Sequence, residues 1–381
     1  MRVLRTLFSG FDVTLAITAT VLSLVGLVTM YSYLGDNSYF NKQILWLIVA
    51  LVAMIAASIP DYRFLRIGPP AFLGYVASAL LLVLVLFVGE ITLGAQSRLD
   101  LWLFSLQPAD PAKLALIIVL AKYFSKRHME IAHFRHILVS GLYAGLIFVL
   151  VFIQPDFGSA LIIFGIWFGM VLVSGISVRH LAVVGMLGAL SFGLLWGFAL
   201  KGYQKERIST FLNPLADRQG AGYNAYQSTI AVGSGQILGK GVGFGTQSKL
   251  QFLPEYETDF IFAAFAEEWG IVGVLVLFML FGIIVWRILR HALKSASNFE
   301  QLFCAGVGVL IVSHFFVHVG MNIGLLPVTG TTIPFLSYGG SHLVTEFAGL
   351  GMIMGMQKRR TTVKERGAQS FQHNAIMVRP R

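Results

Sequence analysis

Charge, acids and cysteine are all scarce in this chain. Only 12% of its 381 residues are Asp, Glu, Lys or Arg, with 18 acids against 28 bases. An average soluble domain carries roughly 25% charged residues. So thin a supply excludes a chain hydrated over its whole surface. One cysteine, Cys304, excludes an intrachain disulfide and leaves the redox compartment unread. No Ser-x-x-Lys transpeptidase fold is present. The one G-x-G-x-x-G match, in "GKGVGFG" (239–245), lacks the strand–turn–helix setting of a nucleotide site. What the chain does have is apolar bulk: 56% hydrophobic residues, 31 Phe and 40 Gly. That composition suits membrane helices packed through small residues.

Ten apolar segments stand out, at 11–33, 43–59, 70–89, 110–124, 136–153, 158–175, 178–200, 259–286, 302–326 and 341–357. The expected fold is an all-α integral membrane protein of about ten transmembrane helices. The first segment has no small-residue cleavage site after it and reads as a retained anchor. With the N-terminus in the cytoplasm, the inside segments hold 18 Lys and Arg and the outside segments eight, six of them in one long loop. This positive-inside bias places both termini in the cytoplasm and makes the net charge of +10 a matter of topology, with no nucleic-acid partner. Residues 1–357 form the polytopic unit. Residues 358–381 form a basic tail expected to be disordered and held inside by its charge.

Residues 201–258 make an outward loop, rich in Gly and in bases (Lys201, Lys205, Arg207, Arg218, Lys240, Lys249). A structureless loop of this length is uncommon and usually functional. It leads into "FLPEYETDFIFAAFAEEWG" (252–270), where Glu255, Glu257 and Asp259 crowd the entrance to an apolar run and Glu267 and Glu268 lie within it. An acid at a helix start complements the helix dipole, but acids within membranes also mark functional sites. At 100° per residue, Glu267 lies about 80° around from Asp259 and roughly 12 Å deeper, with Glu268 on the opposite face. Asp259 is thus the acid a polar substrate reaches. Glu267 and Glu268 are expected to bond to neighbouring helices, in a structural or second-shell role, and Glu346 is a further buried acid.

Other stretches have two readings each. "QPADPAK" (107–113) places Asp110 as an N-cap before Pro111 and three residues from Lys113; the pair is a structural cap and ion pair or a substrate contact. "QPDFGS" (154–159) is a tight turn in which Asp156 caps the next helix or contacts substrate. "LPVTGTTIPFLSYGGS" (326–341) is an uncharged connection whose Pro, Gly and hydroxyl residues, Ser337 and Ser341 among them, suggest irregular backbone lining a cavity. His314 and His318 stand i,i+4 on one helix without a third metal ligand, a pattern that suits buried polar bonding.

With those stretches and "FLNPLADRQGAGYNAYQSTIAVGSGQILGKG" (211–241), the chain resembles the SEDS family of polytopic peptidoglycan glycosyltransferases over nearly its whole length. Val328-Thr329-Gly330, where division (FtsW) members read Thr-Lys-Gly, and the short N-terminus resemble the elongation (RodA) branch. The resemblance implies an outward-facing site in the bacterial cytoplasmic (inner) membrane that polymerises lipid II onto a nascent glycan strand. It sets Asp259 on the family's essential Asp, Asp156 on its Gln-Pro-Asp turn and Lys113 on its Gln-Pro-Ser-Glu-x-Ala-Lys motif. Asp110 stands where that motif has Glu, and Arg98 is followed by Leu99 where Trp is usual. Asp259 is then the general base. Lys113, Arg98, Lys205, Arg207, Lys240 and Lys249 are candidate contacts for the pyrophosphate, with Asp110, Asp156, Ser337 and Ser341 as further substrate-binding candidates. No cofactor is certain; a divalent cation, Mg or Mn, would share the charge neutralisation, though no ligand set is evident. A class B penicillin-binding protein transpeptidase is the implied partner, its helix packing on Gly270, Gly273, Gly282, Gly306 and Gly308. The competing readings are a lipid II flippase, a division-type polymerase and a scaffold.

Overall fold

The computed structural model describes residues 11–31, 38–92, 95–100, 105–126, 134–175, 178–194, 196–197, 202, 205, 209–211, 221–250, 252–253 and 255–357. The basic tail and Arg207 lie outside the described residues. The chain is nearly all helical: α1 (Val13–Tyr31), α2 (Ser38–Ala57), the short α3 (Arg63–Ile67), α4 (Pro70–Val88), α5 (Ala109–Ser125), α6 (Phe134–Ile153), α7 (Phe157–Val173), α8 (Val178–Leu194), α9 (Ala221–Ser234), α10 (Thr246–Lys249), α11 (Ile261–Lys294), α12 (Asn298–Asn322) and α13 (340–357). A helix covers each of the ten expected spans. Among the described residues, six helices are long and apolar enough to cross a membrane, and α7 is a shorter apolar helix. This is the architecture of a multi-pass membrane protein.

Local chemistry sets several boundaries. Asp12 Oδ1 accepts from Leu15 N at the start of α1, and Asp156 Oδ1 accepts from Ser159 N at the start of α7. Ser297 caps α12 by accepting from Glu300 N, while Glu300 reaches back to Ala296 N. Each bond satisfies a donor that a helix start leaves open. Asp110 is not the N-cap expected of it: α5 begins at Ala109 after Pro108, which places Asp110 inside the first turn.

Two further expectations are corrected. The 201–258 loop is not structureless, because α9 and α10 lie within it. The segment after α4 is also not plain loop: β1 (Glu90–Thr92), β2 (Ala95–Asp100) and β3 (Ser105–Leu106) pair antiparallel in the order β1-β2-β3. Here the apolar periodicity that marks helices is absent, so a hydropathy reading sees only a gap.

The bundle is organised around α12, the most enclosed of the long helices, which packs on α11, α5 and α7. Small residues let backbone meet backbone at the entrance to α13. Gly26 of α1 lies directly against the carbonyl of Leu336, and Gly340 lies against the indole of Trp46. A Cβ at position 26 would meet main chain, which cannot rotate away. Gly26→Ala is therefore expected to destabilise the protein by about 1–3 kcal/mol, read as a lowered melting temperature in detergent. Gly74→Ala, on a helical position facing open space, should leave it level or slightly raised; equal melting of both variants would mean the α1 contact relaxes freely.

Candidate active site

Asp259 sits in a tight turn that ends where α11 begins. Glu255 adopts a left-handed φ of 50°, and its carbonyl collects the N–H groups of Thr258, Asp259 and Phe260 at 3.2, 3.0 and 3.1 Å. The turn is fixed from behind by Asn322, the last residue of α12. Its Nδ2 donates to the carbonyls of Asp259 (3.0 Å) and His318 (2.8 Å). Its Oδ1 accepts from Ala263 N and Ser228 Oγ at 3.2 Å each. The half-buried Asp259 side chain faces Gly330: Oδ2 lies 3.4 Å from where a Cβ would stand on that glycine, whose φ is +72°. A side chain there would be strained and would press on the carboxylate.

The connection 323–339 closes the other wall. Ser337 Oγ donates to Thr258 O (2.8 Å) and accepts from Ile333 N (3.0 Å). Tyr338 N donates to Glu257 O at 2.8 Å, and Gln43 Nε2 donates to Ser337 O at 3.1 Å. Farther along, His318 Nδ1 donates to Thr331 O (2.6 Å) and His314 Nδ1 to Thr332 O (3.1 Å). His314, His318 and Asn322 recur every four residues, so they form one stripe on α12. With Nδ1–H engaged, His314 Nε2 is the acceptor that meets Lys113 Nζ at 3.4 Å.

Lys113 leads to a buried charge cluster. Its Nζ is 3.1 Å from Asp110 Oδ1, with both side chains almost wholly enclosed. His342 Nδ1 lies 3.5 Å from the same oxygen. His342 Nε2 lies 3.0 Å from Glu346 Oε1, close enough for an ion pair but poorly aligned for a hydrogen bond. Glu346 Oε2 accepts from Phe335 N at 2.9 Å. Two carboxylates thus stand opposite one lysine and an imidazole whose two nitrogens both face acids. Gln107 extends the network, donating to Asp156 Oδ2 (2.9 Å) and accepting at its carbonyl from Ser341 Oγ (3.2 Å).

Glu267 bonds to the neighbouring helices α9 and α10, and Glu268 bonds to the connection between them, so that together they grip the segment from 234 to 247. Fully buried Glu267 accepts at Oε1 from Lys240 Nζ (2.6 Å), Thr246 N (2.8 Å), Thr246 Oγ1 (3.0 Å) and Ser234 Oγ (3.4 Å). Gln247 N donates to it at 3.2 Å. Glu268 Oε1 accepts from Gly243 N at 2.8 Å. Gly270, with φ 63°, kinks α11 where this segment docks. Lys240 is therefore spent on Glu267, and Lys249 is exposed at the end of α10. Lys205 stacks over Trp196 at 6.0 Å. Arg98, exposed on β2, acts electrostatically on Tyr338, whose phenol burial nonetheless pushes up. Burial, and then the neighbouring Glu255 charge, raise the Glu257 carboxyl above the ordinary glutamate range.

The glycines expected to receive a partner helix mostly serve the bundle itself. Gly306 lies against Ile117 and Met170, Gly308 against Ile288, Gly273 against Trp269, and Gly270 against Gly239 and Ile237; only Gly282 faces open space. Asn322, Gln43, Gln107, His342 and Gly330 carry no mark in the sequence by themselves. The four-residue spacing of His314, His318 and Asn322 was the available signal. Among the described residues no group of three or more His, Cys, Asp or Glu side chains is arranged to hold a metal ion.

Residues 6–362 match the model of the FtsW/RodA/SpoVE family of cell cycle proteins. Stage V sporulation protein E of Bacillus subtilis is 33% identical over 360 residues, covering 91% of this chain and 97% of that protein. Peptidoglycan glycosyltransferase MrdB of Escherichia coli K12 is 35% identical over 354 residues, covering 92% and 94%. Among solved structures, a chain of a peptidoglycan synthase complex, described for its coordination of polymerization and crosslinking, superposes with a TM-score of 0.78. It is 31% identical, with 92% of this chain and 98% of that chain covered.

The acceptor role of Glu267 yields a direct test. Glu267→Gln removes the charge that holds Lys240 and adds an amide donor among donors, so about 1–3 kcal/mol of local stability should be lost. Hydrogen–deuterium exchange of residues 238–249 is expected to speed up about five-fold or more. Unchanged exchange there would show that backbone contacts alone hold the segment.

Proposed function

The chain belongs to the FtsW/RodA/SpoVE family of cell cycle proteins, and from that membership we propose that it is a peptidoglycan glycosyltransferase that polymerises lipid II at the outer face of the bacterial cytoplasmic membrane. The observation that carries the reading is the placement of Asp259, its backbone anchored through Asn322 and its carboxylate facing the Gly330 turn. In the proposed step Asp259 takes the proton from the sugar 4-hydroxyl of the incoming lipid II. That oxygen bonds to the anomeric carbon at the reducing end of the growing strand. The bond from that carbon to the pyrophosphate oxygen breaks, configuration inverts, and undecaprenyl pyrophosphate leaves with the electron pair. Lys113, which contacts His314, and Arg98, which acts electrostatically on Tyr338, supply positive potential where charge develops. A cleft of about 250 Å³, lined by Phe211, Tyr226, Ile323, Leu326 and Val328 among others, offers apolar walls to an isoprenoid tail.

The Val328-Thr329-Gly330 turn favours an elongation role over division. A flippase would draw on the buried charges, but Lys113, Asp110, His342 and Glu346 are turned on one another. The partner is a class B penicillin-binding protein, whose helix would lie on the exposed face of α11 around Leu275, Met279, Gly282 and Trp286, the part of the glycine-bearing surface left open.

Two measurements test the assignment. Asp259→Asn keeps size and backbone contacts but cannot accept a proton. Polymer formed from labelled lipid II by the purified variant should fall by about 10²–10⁴-fold with the melting temperature unchanged; parent-level polymerisation would remove Asp259 as the base. Lys113→Ala and Asp110→Ala should both lower stability, since each strands a buried charge at a cost of about 3–5 kcal/mol. Per folded molecule, Lys113→Ala should lose at least ten-fold more polymer than Asp110→Ala. Equal specific activity would reduce the pair to a structural strut.

A further inference from the structure

At the end of the bundle away from Asp259, a second cavity has chemistry that the reaction does not use. It has a volume of about 430 Å³ and is lined by Arg66, Ile67, Ser125, Lys126, Ser297, Asn298 and Phe299. Its position follows from the helices: α12 runs from Asn298 here to Asn322 beside Asp259, and α5 runs from Asp110 near the site to Ser125 here. The two cations come from separate elements, Arg66 from α3 and Lys126 from the end of α5. Neither forms an ion pair with a described residue. The nearby acids are engaged, Asp61 with Arg63 and Glu300 with Ala296 N. Among the described residues no acid lines the cavity.

Hydrogen-bond donors and apolar surface complete the lining. Ser297 Oγ accepts from Glu300 N, which leaves its O–H to donate, and Asn298 opens a 25-residue helix whose first N–H groups have no intrahelical acceptor. Ile67, 72% exposed, and Phe299, buried, give the cavity an apolar side. Two cations with no ion-pair partner among the described residues, hydroxyl and amide donors and a hydrocarbon wall at the water boundary of a membrane protein match an amphiphile with an anionic head. We propose that this cavity binds the phosphodiester headgroup of an anionic membrane lipid such as phosphatidylglycerol. Arg66 and Lys126 pair with the phosphoryl oxygens, Ser297 and Asn298 donate to them, and the acyl chains leave past Ile67.

The test uses the full chain in mixed micelles of phosphatidylglycerol and phosphatidylcholine in equal amounts, with retained lipid counted by native mass spectrometry. The parent should retain phosphatidylglycerol preferentially. A cation beside an anionic headgroup is worth roughly five-fold, so Arg66→Gln with Lys126→Gln should lower that preference by about ten-fold or more. Arg290→Gln with Lys294→Gln, which removes the same charge from another helix, should leave it intact. Asn298→Asp keeps a good helix start but sets a carboxylate in the cavity, and it should also abolish the preference; it decides the matter if the double variant fails to fold. Equal loss in the Arg290/Lys294 control would mean diffuse charge attraction, and no loss in Asn298→Asp would mean that the lipid sits elsewhere; either overturns the proposal. Displacement of the bound lipid by millimolar glycerol phosphate would mark a site for small soluble anions and overturn it equally.

Discussion

Everything at the catalytic end depends on one requirement. The irregular backbone of 323–339 lies inside an apolar bundle, and its carbonyl and amide groups must find partners there. The α12 stripe meets that need. His314 and His318 take the carbonyls of Thr332 and Thr331, Asn322 takes that of Asp259 on the facing turn, Gln43 takes that of Ser337, and Ser337 Oγ accepts from Ile333 N. Two of these side chains also hold the site: Asn322 anchors the main chain of Asp259, and His314 meets the ammonium of Lys113. Fold stability and site geometry therefore share the same hydrogen bonds, and loosening one loosens the other.

The buried cluster around Asp110 follows the same logic in charge. Burying two carboxylates is costly unless cations lie at contact distance. Lys113 and His342 meet that condition from two helices, while Phe335 N adds a neutral donor to Glu346. The cluster binds the start of α5 to α13, the two elements that flank the connection. Its lysine also meets His314 of the α12 stripe, so the two networks join.

Much of this was legible in the sequence for a plain reason: ten apolar runs and a skewed distribution of bases are one-dimensional signals, and Asp259 stood out because an acid at the head of an apolar run is rare. The rest depended on distance in space. Nothing in "QPADPAK" shows that His342 lies 3.5 Å from Asp110. Nothing in the acidic run shows that Glu267 would take Lys240, or Glu268 the amide of Gly243, from the connection between α9 and α10. Asp110 was misread as a cap because Pro111 suits a helix's first position, yet Pro108 had already begun the turn. The short strands at 90–106 left no hydropathy trace.

The kink at Gly270 has a consequence for the main chain. In an unbroken helix Ile271 N would donate to Glu267 O, and Val272 N to Glu268 O. Here those two amides donate to the carbonyls of Gln236 and Ile237, while the two vacated carbonyls accept from Lys240 N and Gly241 N. The helix has exchanged two rungs of its own ladder for four bonds to the loop. Each stranded group is the other's natural partner, so if the loop withdrew, α11 would re-form its own rungs by straightening at a glycine. Loop detachment and helix straightening are thus one coupled rearrangement that leaves no orphaned amide in α11.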